Sequence, residues 1–99
     1  MEDRNLLTER LHVHIEGRVQ GVGFRAFVEY NARQLNLKGW VRNRWDGSVE
    51  VVAEGDRMIL EKMLALLRNG PRGANVTNLV FGWQPASGEF ASFSVRRTD

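Results

Sequence analysis

Residues Gly17 to Arg25 read GRVQGVGFR, three glycines spaced among small and polar residues, followed by an aromatic and an arginine. The flanks of this stretch decide its place in the fold. Upstream, Leu11, Val13 and Ile15 alternate with His12, His14 and Glu16, the period-two pattern of a half-buried strand ending at Gly17. Downstream, Phe24, Phe27, Val28, Asn31 and Leu35 recur at helical spacing and line one face of a helix running to about Gln34. The glycine stretch therefore joins a strand to a helix.

Working outward, Gly39 to Asn43 (GWVRN) and Ser48 to Glu54 (SVEVVAE) are short runs rich in β-branched and aromatic residues. The turn dipeptide Asp46-Gly47 between them makes them a hairpin. A second helix begins near Asp56, carries Ile59, Leu60, Met63, Leu64, Leu66 and Leu67 as a broad apolar stripe, and stops at Asn69-Gly70-Pro71. Val76 to Gln84 reads as a strand with Thr77, Leu79, Phe81 and Trp83 on one face, Pro85 to Glu89 as a turn, and Phe90 to Arg97 as a last strand. The order β-α-β-β-α-β-β predicts an α+β fold, the ferredoxin-like split βαβ arrangement plus a terminal strand. Two helices should cover one face of a mixed, mostly antiparallel sheet. In that topology the hairpin's second strand inserts between the first two parallel strands. The carboxyl ends of those two strands then share one sheet edge, about 10 Å apart. The glycine loop leaves one of these ends and Asn43 sits at the other.

The chain has 99 residues, enough for one domain with one modest core. Residues 1–9 are expected as a flexible N-terminal segment and 10–99 as the domain. No apolar run approaches a membrane span and the charged opening MEDRNLLTER lacks a signal-peptide core. A soluble, cytoplasmic monomer is the expectation. Cysteine is absent, which excludes a disulfide framework or a thiolate metal site. A net charge of +2 from 14 basic and 12 acidic residues, interspersed along the chain, is a weak signal for a polyanionic partner. The basic residues are nearly all arginine, whose planar fork suits phosphate or carboxylate.

Four readings of the glycine loop compete. It serves as a flexible connector, although glycines at three close positions point to positive φ or to close ligand approach. Gly21-Val22-Gly23-Phe24-Arg25-Ala26 matches the dinucleotide pattern G-x-G-x-x-[GA], but a hairpin follows where parallel strands should, and the chain is too short for a doubly wound sheet. GFRAFVEY is similar to an RNA-binding aromatic motif, yet its aromatics repeat with helical period; an arginine-rich open sheet face would favour that reading. The fourth reading is an anion cradle, in which loop amides and the amino end of the first helix meet a phosphate. Arg25 is the informative residue. A cation in a helix's first turn opposes the macrodipole by about 0.3 to 1 kcal/mol, unless an anion comes between or a carboxylate such as Glu29 pairs with it.

GRVQGVGFR, GWVRN at Gly39 to Asn43 and DGSVEVVAEG at Asp46 to Gly55 together resemble the acylphosphatase family, and NGPRGANV and SGEFASFSV are similar to its later segments. The resemblance covers nearly the whole chain from residue 10. It implies hydrolysis of the mixed anhydride of a carboxylic acid and phosphate, with no metal, no cofactor and no covalent intermediate. By resemblance, Arg25 is the phosphate-binding arginine and Asn43 orients the attacking water. Gln20, Gly21, Val22, Gly23 and Phe24 supply loop amides around the phosphoryl oxygens. Inorganic phosphate is then product and competitive inhibitor, and no nucleic-acid partner is expected. A non-catalytic domain of the same family, with a binding or regulatory role, is the alternative. Arg44 and Trp45 depart from the smaller or proline-containing turns of many relatives, a difference that bears on how acyl groups are received.

Other candidates for chemistry are few. His12 and His14 share a strand face opposite the apolar residues, a spacing compatible with a metal but lacking a third ligand, so solvent exposure is expected. Trp40, Trp45 and Trp83 are expected in the core or at its rim.

Overall fold

The alternation at Leu11, Val13 and Ile15 is the middle of a longer strand, β1 (Thr8–Arg18), in the computed structural model of the chain, which describes residues 8–99. Residues 1–7 of the expected flexible segment lie outside the described residues; Thr8 and Glu9 open β1. There follow α1 (Phe24–Gln34), β2 (Lys38–Asn43), β3 (Val49–Asp56), α2 (Arg57–Asn69), β4 (Asn75–Pro85) and β5 (Phe93–Val95). The sheet order is β4-β1-β3-β2-β5, with β2–β5 as its parallel pair and the remaining pairs antiparallel. This is the expected split βαβ arrangement, with α1 and α2 packed on one sheet face.

β1 runs past Gly17 because the chain is bulged there: its register against β4 shifts between Glu16 and Gly17. Gly17 takes φ 126°, and a Cβ at this position would fall 2.1 Å from the carbonyl oxygen of Asn75, so only glycine lets β4 approach. The last strand is shorter than the apolar pattern predicts. Only Phe93–Val95 enters the ladder, and it does so at the edge opposite β4. On the way, the buried Glu54 carboxylate accepts from the amides of Ser87 and Gly88 and from the Ser87 hydroxyl. These bonds hold a polar, glycine-containing crossing that has no strand partner.

The core is formed by Leu11, Val13 and Ile15 of β1, Val49, Val51 and Ala53 of β3, Val41 and Phe93. Phe24, Val28 and Ala32 from α1 and Leu60, Met63, Leu64 and Leu67 from α2 close over them. Each large apolar side chain buried in this way contributes about 1.5 to 3 kcal/mol. Asp56 starts α2 by accepting from the Met58 amide at 2.9 Å, and Gly70 ends it. On edge strand β4, Trp83 lies 3.7 Å beneath the Arg57 guanidinium and Phe81 5.6 Å from that of Arg68.

The open sheet face carries arginines, as the RNA reading asks, but carboxylates from β3 occupy most of them. Arg10 pairs with Glu54, and Arg42 and Arg44 both pair with Glu50. His12 likewise has a protein partner, its Nε2 standing 2.6 Å from Glu50. Trp40 is 8 % exposed, with the guanidiniums of Arg42 and Arg96 at 4.7 and 4.6 Å from its ring centre. Trp45 is neither core nor rim: it is 82 % exposed at the hairpin turn. Among the described residues no group of three or more His, Cys, Asp or Glu is arranged to hold a metal ion, and no helix is long and apolar enough to cross a membrane.

Burial pushes the Glu50 carboxyl up, but hydrogen bonds from His12, Arg42 and Arg44 outweigh it and hold it down at about 2, from an ordinary 4.5. Because the folded value is depressed, the stability Glu50 contributes is complete above about pH 4.5 and is lost as pH falls towards 2. Urea unfolding of wild type and Glu50→Gln should therefore differ most near neutral pH and converge in acid. An undiminished difference at low pH would show that Glu50 acts through packing instead.

Candidate active site

Ile15 on β1, Val49 on β3 and Asn43 on β2 form one row across the sheet, since Val49 pairs with both of the others. β1 and β2 are both antiparallel to β3, so their carboxyl ends lie at the same edge, two strand spacings or about 10 Å apart. The loop after β1 and the first turn of α1 meet Asn43 at that edge. Val19, Gly21, Gly23, Phe24, Arg25 and Asn43 line a cleft of about 360 Å³ there, which Ala26, Glu29 and Val95 complete.

The local sequence explains the shape of the loop. Gly21 and Gly23 take φ 75° and 79°, in the left-handed region, with open space where a Cβ would stand; they are glycines for the backbone's sake. Gly23 is also the residue from which α1 starts, and its carbonyl accepts the Phe27 amide at 3.0 Å. Phe24, 2 % exposed, anchors the helix start: it packs edge-on against Phe27 and fills the space over Gly70 at the end of α2. Val22 packs against the rim of the core.

The polar groups at this edge are largely unspent. α1 has no side-chain cap and no acidic residue in its first turn. Among the described residues, the amides of Gln20, Gly21, Val22, Gly23, Phe24 and Arg25 donate to no protein acceptor. Arg25 is half-buried and makes no ion pair or hydrogen bond among the described residues. The carboxylate that could have paired with it, Glu29, binds Arg33 instead at 3.1 Å. The Asn43 carboxamide also lacks a protein partner among the described residues, whereas its backbone carbonyl is fixed by the Asp99 amide at 3.1 Å. A cation, a set of donor amides and a neutral amide side chain thus face one cleft, an arrangement suited to a compact anion.

Gln20 and Val22 do not line the cleft. Gln20 instead spans the gap between the two motifs, its Nε2 donating to the carbonyls of Arg44 at 2.7 Å and Ser48 at 2.8 Å. Those carbonyls belong to the turn that follows Asn43, itself closed by Ser48 donating to the Asp46 carboxylate and by Arg44 bonding to Ser48. Gln20 is thus a strut between loop and hairpin. Gln20→Ala removes one of two donors from each carbonyl, which keep the backbone amides of Gly47 and Arg44 respectively, and a loss of about 1 kcal/mol in urea unfolding is expected. Steady-state kinetics of the same variant should show catalytic efficiency falling about tenfold as the loop and Asn43 lose their fixed separation; full efficiency would mean that the loop is held without it. The strut was not legible in the motif, because a glutamine in a loop gives no sign of its partner.

Three comparisons bear on this site. The family model for Acylphosphatase matches residues 11–95. The acylphosphatase of Salinibacter ruber is 46% identical over 89 residues, which are 90% of this chain and 94% of the relative. Among solved structures, an acylphosphatase from Coxiella burnetii superposes with a TM-score of 0.88 at 35% identity, covering 97% of this chain and 100% of that one. The acylphosphatase from Bacillus subtilis superposes with a TM-score of 0.86 at 36% identity, covering 89% and 98%. With a sequence match spanning both the glycine loop and the Asn43 strand, and folds that agree over almost the full length, the chain belongs to the acylphosphatase family.

Proposed function

We propose that the protein hydrolyses acyl phosphates to carboxylate and inorganic phosphate, by direct attack of a water molecule on a phosphoryl group seated in the glycine-loop cleft. In this reading the amides of Gly21, Gly23, Phe24 and Arg25 and the Arg25 guanidinium bind the equatorial phosphoryl oxygens, where charge accumulates in the transition state. The Asn43 carboxamide accepts a hydrogen bond from the water and aims it. The new bond joins water oxygen to phosphorus, and the bond between phosphorus and the acyl oxygen breaks. The carboxylate departs as a stable anion that needs no proton, and the water's proton passes to a phosphoryl oxygen. A strong general base is unnecessary for so good a leaving group. Among the described residues Glu29 is the only carboxylate lining the cleft, and it is engaged with Arg33.

The observation that carries the proposal is the unpaired Arg25 at an uncapped helix start, sharing a cleft with an unpaired Asn43 carboxamide. The reading also takes the enzyme as a cytoplasmic monomer. Purified protein is expected to hydrolyse benzoyl phosphate with inorganic phosphate as a competitive inhibitor. Excess chelator should leave the rate unchanged. Absence of turnover with phosphate still bound would favour a binding or regulatory domain, and strong inhibition by chelator would exclude the metal-free route.

A further inference from the structure

Beside the phosphate cleft lies a second and larger one, of about 830 Å³, lined chiefly by Arg42, Trp45, Val95, Arg96, Arg97 and Asp99. Val95, 40 % exposed, belongs to both. The walls of the second cleft are fastened to the strand that carries Asn43. Arg96 donates its amide to Val41, Asp99 donates to Asn43, and the Trp45 amide donates to Asp99. Residues 96–99 therefore continue along β2 to the site rather than trailing away from it.

The side chains here are not consumed by the fold. Arg42 is satisfied, binding Glu50 at 2.8 Å and the Asp99 carboxylate at 3.2 Å. Arg96 stacks on Trp40 but pairs with no carboxylate, and Arg97 has no partner among the described residues. Trp45, a large aromatic that the core does not use, lines the same cleft as these guanidiniums. A phosphoryl group seated against the loop must direct its acyl part outward, and the second cleft adjoins the first through Val95. We infer that this second cleft receives the acyl part of the substrate, and that the enzyme selects acyl phosphates whose carboxylic acid portion carries a second anionic group. Trp45 forms an apolar wall for the body of that acyl group, while Arg96 and Arg97 attract its distal charge. The inference rests on the hydrolysis proposed above.

The test compares benzoyl phosphate with 4-carboxybenzoyl phosphate, which differ only in the distal carboxylate. For the wild type, kcat/KM is expected to be about fivefold higher for the carboxylated compound at low salt, the upper end of what two exposed guanidiniums can give. The preference should fade as salt rises. In the Arg96→Ala/Arg97→Ala double variant the ratio should fall to one or below, chiefly through KM, and Arg97→Lys alone should retain most of it. Trp45→Ala should lower kcat/KM for both aromatic compounds relative to acetyl phosphate. A wild-type ratio near one, or a preference that survives the double variant, overturns the inference while leaving the hydrolysis proposal standing. Failure to hydrolyse any of the three compounds overturns that proposal itself.

Discussion

Arg25→Ala is expected to lower kcat/KM for benzoyl phosphate by at least about a hundredfold and to weaken inhibition by inorganic phosphate, while the folded protein becomes slightly more stable. The two signs together make this informative. Arg25 sits in the first turn of α1 with no carboxylate partner, beside amides that present the positive end of the helix dipole. In the unliganded protein its charge opposes that dipole, so its removal should stabilise α1 by about 0.3 to 1 kcal/mol. In the proposed transition state the same charge faces a phosphoryl group, and loss of a charge-assisted hydrogen bond there would cost about 3 kcal/mol or more. Arg25→Lys restores a point charge without the two-pronged geometry and should recover only part of the rate. Urea unfolding and steady-state kinetics on the same preparations decide the matter. If activity and stability fall together, Arg25 is a structural residue. If neither changes, it stands outside the site.

Elements with a regular apolar period were legible in the sequence, because burial on one face imposes that period. β1, both helices and the hairpin lie within a few residues of where Leu11-Val13-Ile15, Phe24-Val28, Leu60-Leu67 and Asp46-Gly47 put them. The parts that escaped are held by groups whose partners are remote in sequence. Of the expected last strand only Phe93–Val95 forms the regular ladder, while Glu54 on β3 holds Ser87 and Gly88 in the crossing that precedes it. Trp45 is exposed although its composition suggests burial, since hairpin geometry turns it outward at a position no core residue reaches. The site followed the same division. Gly21, Gly23 and Arg25 stood out as candidates, because glycine alone takes positive φ freely and a cation at a helix start is locally unfavourable without a counter-charge. Val95 joined the cleft only through its parallel pairing beside Val41, which no local pattern encodes.

Asn43→Ala should separate catalysis from binding in the opposite sense to Arg25→Ala. Asn43 stands at the end of β2, its backbone held by pairing with Val49 and by the Asp99 amide, and neither restraint needs the side chain. Its carboxamide makes no hydrogen bond to a protein group among the described residues, so truncation should change urea stability by no more than about 0.5 kcal/mol. A residue that aims the nucleophile contributes only when water attacks. The expected result is therefore a kcat for benzoyl phosphate reduced by about a hundredfold or more, with inhibition by inorganic phosphate nearly unchanged. Asn43→Asp sharpens the test, because a carboxylate can still accept a hydrogen bond from water but places a negative charge beside the phosphoryl oxygens. That variant should weaken phosphate binding as well as turnover. Should Asn43→Ala instead abolish phosphate inhibition, the carboxamide holds the phosphoryl group itself, and the attacking water must be positioned by the loop.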